Sequence, residues 1–356
     1  MTETGTQPAI PFRDIPIDVL RGLAIMIMVG ANLVPSLLAP PAPLWLRLLS
    51  SIAAPLFIFL SGMMVALSCC RKNYTLSHFL YRGGFVIAIA AFLDLVVQGS
   101  VPFISTDVLY LIGISLPLAY LFLSLGLRAR LGVLIAILVA TPVLQGIAGY
   151  SSLPIIIPAV SLLHGGILPG IPAVLSQWLI DGWFPVFPWL AVSLTGAQAG
   201  MFRWQDGQVR SFAERELATL AGSVLVLGAL FWYIIPGPML TRSGYIEVFY
   251  PPTMEFIFFI TGVIFCLFVI ADMLPVSGRL FDPLRALGEC SLAIYILHII
   301  VIEWLIHPNG LQVPLPSFLV GYLILISGMI AAAYLFRYVR KNVRTSSFII
   351  RTLIGG

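Results

Sequence analysis

The sequence predicts an all-α fold: a polytopic transmembrane helical bundle of about ten spans, with both termini in the cytoplasm. Three observations lead there. The chain of 356 residues is 60% hydrophobic and only 10% charged, against roughly 25% charged in soluble domains. Continuous apolar runs recur along it, long enough to cross hydrocarbon, and these are not the short alternating strands of a porin-like barrel. Lys and Arg gather on alternate loops, as they do on cytoplasmic connections.

The spans fall near 15–38, 45–69, 77–97, 105–126, 131–149, 185–202, 216–235, 252–273, 284–306 and 315–337. Residues 1–14 form a polar tail with no basic stretch ahead of a small-residue cleavage site, so the first helix is expected to stay. Pro16 suits a helix start, where its missing N–H would be unpaired anyway. With residues 1–14 inside, Arg71, Lys72, Arg82, Arg128, Arg130, Arg203, Arg210, Arg215, Arg279 and Arg285 fall on the inner side. So do Arg337, Arg340, Lys341, Arg344 and Arg351, while Arg47 and Arg242 fall outside. Residues 15–338 read as one membrane domain, followed by a basic tail, 339–356, expected to lie on anionic lipid as an amphipathic helix.

The longest outer loop, 150–184, has no Lys or Arg and is rich in Pro and Gly. A loop that long calls for a reason, and one or two short interfacial or re-entrant helices over the outer mouth are expected there. Residues 236–251 form the second outer loop of substance. The net charge of +4 follows topology and points to no nucleic acid. Cys69, Cys70, Cys266 and Cys290 form no metal-ligand spacing, and no GxSxG, P-loop or HExxH pattern occurs.

Polar groups at membrane depth are costly and mark function or mutual pairing. In the first span Asp18 and Arg21 are neighbours on one face, and Arg21 and Asn32 return to that face roughly 16 Å apart. Asp94, Asp107, Glu255, Asp272, His298 and Glu303 complete the set, with Asp272 and Glu303 expected to reach the interface from helix ends. His298 reads either as a packing residue bonded to Tyr295 or as a base. His164 precedes Gly165 and Gly166 in the outer loop, where water access suits a general base. His78 and His307 read as interfacial.

Several phrases resemble the transmembrane acyltransferase superfamily, most closely the catalytic domain of heparan-alpha-glucosaminide N-acetyltransferase and its prokaryotic relatives. They are IDVLRGLAIMIMV from Ile17, PLFIFLSGMMVALS over 55–68 and DVLYLIGIS over 107–115. FPVFPWLAVSLTGAQAG over 184–200, YPPTMEFIFFITG over 250–262 and LRALGECSLAIYILHIIVI over 284–302 follow in the family's order.

The resemblance implies transfer of an acyl group, acetyl foremost, from cytoplasmic acyl-CoA to a glycan or amino-sugar acceptor on the far side, with no metal. The anionic head of acyl-CoA would meet Arg21, Arg82 and Arg285 at inner helix ends, with Asp18 orienting Arg21. Asn32 aligns with an Asn of the animal enzyme and would polarise the thioester carbonyl. The animal enzyme has a functional histidine shortly after that Asn. LVPSLLAPPAPLW here has none, so direct transfer is expected, with His164 or His298 as base. Asp107, Asp181 and Tyr250 are the acceptor-side candidates. The resemblance also implies a multi-pass protein, of the plasma membrane if prokaryotic. A carrier or flippase for a lipid-linked or small polar solute, or a non-catalytic scaffold, remain alternatives, and the oligomeric state stays open, a homodimer included.

Overall fold

The computed structural model describes residues 13–72, 74–151, 153–205, 208–235 and 246–342. Among these, thirteen α-helices and no strands are found. α1 (Ile15–Leu37), α2 (Leu44–Arg71), α3 (Leu76–Phe92, continued by a π-helical turn Leu93–Gln98), α4 (Val108–Leu123) and α5 (Leu127–Ala148) come first. α6 (Ala159–Leu163) and α7 (Ile171–Ser176, continued by a π turn Gln177–Asp181) occupy the long loop. α8 (Val186–Arg203), α9 (Arg215–Ile234), α10 (Met254–Met273), α11 (Asp282–Glu289), α12 (Ser291–Val301, with a π turn Ile302–Ile306) and α13 (Leu315–Asn342) complete the bundle.

Helices thus occur at all ten predicted spans, and eight are long and apolar enough to cross a membrane. The other two depart for local reasons. α4 is short because the chain turns through residues 101–107 and Asp107 caps the helix, its carboxylate accepting from the Val108 N–H at 2.6 Å. α8 carries Ser193, Thr195 and Gln198 along its length, which lowers its apolar character. The predicted ninth span is two helices, α11 and α12, broken at Cys290 (φ −113°, ψ 26°). α13 runs on through Arg337, Arg340 and Lys341. Arg242, Arg344 and Arg351 lie outside the described residues.

Burial sorts centre from rim. Within α1, 78% of the apolar window is buried inside the protein, against 11% for α5 and for α9. α1 is the axial helix, and α5 and α9 present their side chains outward, as lipid-facing helices do. Close packing around α1 depends on absent side chains. A Cβ on Gly22 would overlap the Leu284 carbonyl oxygen, and one on Gly288 would overlap that of Asp18. Small residues are what let membrane helices approach to backbone contact. α2 and α8 repeat the device at Gly62 and Gly196.

A buried ion cluster ties three elements at one end. Arg203 of α8 places Nε 2.6 Å from Asp14 and Nη1 2.8 Å from Asp272 of α10, with the guanidinium only 1% exposed. Trp204 Nε1 donates to Asp14 at 3.2 Å. Asp272 therefore does not reach outward to an interface, because a buried cation holds it in the core. Glu303 stays partly exposed beside His307, 3.8 Å away.

The 150–184 loop forms two short helices stitched to residues 99–106. The Val101 N–H donates to Ile157 O, Ala159 N–H to Gly99 O, and the Phe184 N–H to Thr106 O, all at 2.8 Å. Thr106 Oγ1 donates to Gln177 O at 2.7 Å. This dense bonding fixes Phe184 and the entry to α8.

Candidate functional site

Two polar contacts join α1 to α12, and both come from residues that share one face of α1. Near one end, Arg21 Nη2 donates to Ser291 Oγ at 2.5 Å, with the Asp18 carboxylate 3.8 Å from the same guanidinium. Toward the other end, Asn32 Nδ2 lies 3.0 Å from His298 Nε2. His298 Nδ1 is 3.1 Å from the Ile294 carbonyl oxygen, one helical turn back. A carbonyl can only accept, so Nδ1 carries the hydrogen and Nε2 accepts from the Asn32 amide. One N–H of the Asn32 carboxamide is thereby spent, leaving its second N–H and its oxygen.

Asn32 opens onto a cavity together with Met28 and Ala31 of α1, Ser50, Ala53 and Ala54 of α2, and Gln98 from the π turn after α3. Asp107, Phe184, Glu247, Tyr250 and Tyr295 close it. The space between these side chains is about 510 Å³, its open mouth included. No Lys or Arg is among the lining residues.

The two carboxylates in the wall differ in their partners. Asp107 accepts from the Val108 N–H at 2.6 Å and from the Tyr295 hydroxyl at 3.0 Å. Glu247 leaves its Oε2 buried with no hydrogen-bond partner among the described residues, and Ser50 Oγ is in the same state. Burial, with a smaller push from the nearby Asp107, raises the Glu247 carboxyl to about 7 against the pull of backbone hydrogen bonds from Glu247 itself and Ile246. The wall around it is otherwise aromatic: Trp183 and Phe249 pack against Tyr250 with ring centroids 5.6 and 4.8 Å apart.

The sequence candidates fall into distinct places. Asn32, Asp107 and Tyr250 line the cavity. His298 is fully buried and does not line it, and its side-chain hydrogen bond toward the site goes to Asn32. Its neighbour Tyr295 packs edge-on at 5.2 Å but gives its hydroxyl to Asp107, not to His298. His164 is exposed in the turn after α6, with Nδ1 3.0 Å from Val160 O, and does not line the cavity. Asp181 is buried and takes a hydrogen bond from Gln177 at 3.1 Å, away from the cavity lining. Asp94 accepts from Tyr110 at 2.6 Å.

At the Arg21 end, Arg82 of α3 lies close enough for the two cations to interact. Arg285 sits 3.8 Å from Asp282, with its Nε buried and unpartnered among the described residues. Arg13 bridges Asp18 at 3.5 Å and Glu289 at 3.0 Å. Nothing in the sequence singles out Ser50, Gln98 or Glu247. A serine in an apolar helix and a glutamate in a loop look ordinary until the fold places both in one wall. Among the described residues, no group of three or more His, Cys, Asp or Glu is arranged to hold a metal ion.

An axial helix that carries paired polar stations toward both ends, inside an apolar multi-helix bundle, defines an integral membrane protein with an internal polar site. Residues 13–238 match the family model described as heparan-alpha-glucosaminide N-acetyltransferase, catalytic, and the chain belongs to that family. The family implies a membrane acetyltransferase-like function. The match spans α1 to α9, so Glu247, Tyr250, Tyr295 and His298 lie beyond it. No curated protein matches the chain.

Proposed function

We infer that the protein transfers an acetyl or other acyl group from cytoplasmic acyl-CoA to a glycan or amino-sugar acceptor that enters from the opposite side of the membrane. The observation that carries this reading is Asn32, pinned by His298 yet open to the cavity with hydrogen-bonding capacity to spare. A fixed carboxamide N–H is suited to the oxygen of a thioester carbonyl, where negative charge grows as a nucleophile adds. Because its geometry is set in advance, little reorganisation is needed when that charge appears. Asp107 and Tyr250 face the acceptor, and Asp181 braces the loop through Gln177.

The phosphates of acyl-CoA cannot enter hydrocarbon and call for cations at a helix end. Arg21 and Arg82, close enough to repel one another, would be relieved by a shared polyanion, while Asp18 and Ser291 hold the Arg21 guanidinium in place. Arg285 adds a third cation. The basic end of the bundle is then cytoplasmic, with both termini on that side, and the plasma membrane is the setting in a prokaryote. His164 has no part in this scheme, since it does not line the cavity.

The full chain reconstituted in liposomes, supplied with radiolabelled acetyl-CoA on the Arg21 side and glucosamine on the other, tests the reading. Labelled amino sugar should accumulate, and Asn32→Ala should slow it about 100- to 1,000-fold. Glucosamine carried across without acetylation would support the carrier instead. Full activity in Asn32→Ala would sink the assignment of the site.

A further inference from the structure

The acceptor must lose a proton as it attacks, and neither histidine named from the sequence reaches the cavity. His298 has committed both ring nitrogens, and His164 stands outside. The cavity does hold two buried polar atoms with no partner among the described residues, Glu247 Oε2 and Ser50 Oγ, on residues that are 8% and 2% exposed. Leaving such atoms unsatisfied costs free energy, and both residues line the same cavity as Asn32. That is the arrangement of groups awaiting a polar ligand.

We propose that Glu247 is the general base of this site, taking the proton from the acceptor's attacking hydroxyl or amine while Ser50 Oγ hydrogen-bonds the acceptor beside it. This rests on the acyl-transfer reading above. The division of labour between the carboxylates follows from their partners. Both Asp107 oxygens already take a hydrogen bond, from Val108 N–H and from the Tyr295 hydroxyl, whereas Glu247 keeps an open oxygen. The polar and titratable groups that share the cavity lining with Glu247 are Asp107 from the start of α4, Tyr295 from α12, Asn32 from α1, Ser50 from α2, Gln98 from the turn after α3 and Tyr250 from its own loop. Arg47 of α2 engages the adjacent Ile246 carbonyl at 3.2 Å. A carboxyl raised toward neutrality is matched to proton abstraction at physiological pH.

The step balances. The acceptor's O–H or N–H proton passes to the Glu247 carboxylate as the new oxygen–carbon or nitrogen–carbon bond forms at the thioester carbonyl. The carbon–sulfur bond breaks, and CoA leaves as a thiolate that gains a proton from water at its own end. Glu247 then returns its proton to water at the cavity mouth.

The test uses the full chain in liposomes with acetyl-CoA and glucosamine as the probe acceptor. Glu247→Gln should lower kcat about 100-fold or more with KM for acetyl-CoA little changed. It should also abolish the fall in wild-type rate below neutral pH, and Glu247→Asp should restore part of the loss. Glu247→Gln with wild-type kcat and an unchanged acid limb overturns the proposal and leaves the acyl-transfer reading standing. A second readout needs no turnover: carbodiimide should label Glu247 at pH 6 but not at pH 8.5, with glucosamine protecting. No label at Glu247 at either pH also overturns the proposal. Labelling together with a wild-type protein that never acetylates glucosamine overturns the acyl-transfer reading and the base role with it.

Discussion

Asn32 of α1 donates its amide hydrogen to His298 of α12 at 3.0 Å, and His298 spends its other ring nitrogen on Ile294. The imidazole is therefore a clamp on the carboxamide. Had Nδ1 faced a carboxylate in an open cavity, the same histidine could have moved a proton. Here it is fully buried and its tautomer is fixed by a backbone carbonyl.

If His298 acts through Asn32, removing either should remove the same function. His298→Ala and Asn32→Ala are each expected to slow acetyl transfer at least about 10-fold, and the double variant should be no slower than Asn32→Ala alone. Turnover assays on the four proteins measure this. Losses that multiply in the double variant would show that the two residues work independently.

The backbone contact between α1 and α11 should tolerate no methyl group. Gly22→Ala and Gly288→Ala each place a carbon onto a carbonyl oxygen, and overpacking of this kind costs about 1–3 kcal/mol or more. Gly84→Ala, on the open face of α3 with nothing within 4 Å, is the control and should be near neutral. Melting temperatures of the purified proteins in one detergent separate the two outcomes. A control as damaging as the core variants would contradict the packing argument.

Arg203 neutralises two buried carboxylates. Arg203→Leu leaves Asp14 and Asp272 buried without their cation, a loss of roughly 3–5 kcal/mol. Arg203→Lys should rescue little, because one ammonium cannot reproduce the forked bonds to both partners. Yield and thermal stability are the readouts, and a lysine variant as stable as wild type would count against the forked geometry.

Glu247 makes stability depend on pH in a defined direction. Its carboxyl is raised from an ordinary 4.5 to about 7, so the folded chain holds a proton that the unfolded chain has lost between those values. This contribution favours the fold at low pH and is lost as pH rises through 7, by about 3 kcal/mol in all. Melting temperature measured from pH 5 to pH 8 should therefore fall more steeply in wild type than in Glu247→Gln. Parallel curves would refute the burial argument.

The first helix shows what one-dimensional pattern can reveal. Arg21 and Asn32 share a face because the helical repeat is fixed, and the bundle class follows from apolar runs too long to serve as anything but spans. Their partners were not legible. Ser291 lies 270 residues from Arg21 and His298 lies 266 from Asn32, separations that no local rule bridges. The long outer loop announced short helices by its Pro, Gly and apolar pieces, yet its attachment to residues 99–106 is a matter of backbone bonds between distant segments.

The sequence by itself determined an all-α membrane bundle and a first helix with polar stations at two depths, since hydropathy and helical period are local properties of the chain. Only the tertiary structure decided which polar groups meet. It buried Asp272 on Arg203, bonded His298 to Asn32 and Ile294, and placed Ser50 and Glu247 in the same cavity lining as Asn32. The physical reason is that partnership among buried polar groups depends on which helices pack together. That packing is set by small-residue contacts such as Gly22 against Leu284 and Gly288 against Asp18, which bring α1 and the α11–α12 segment into backbone contact.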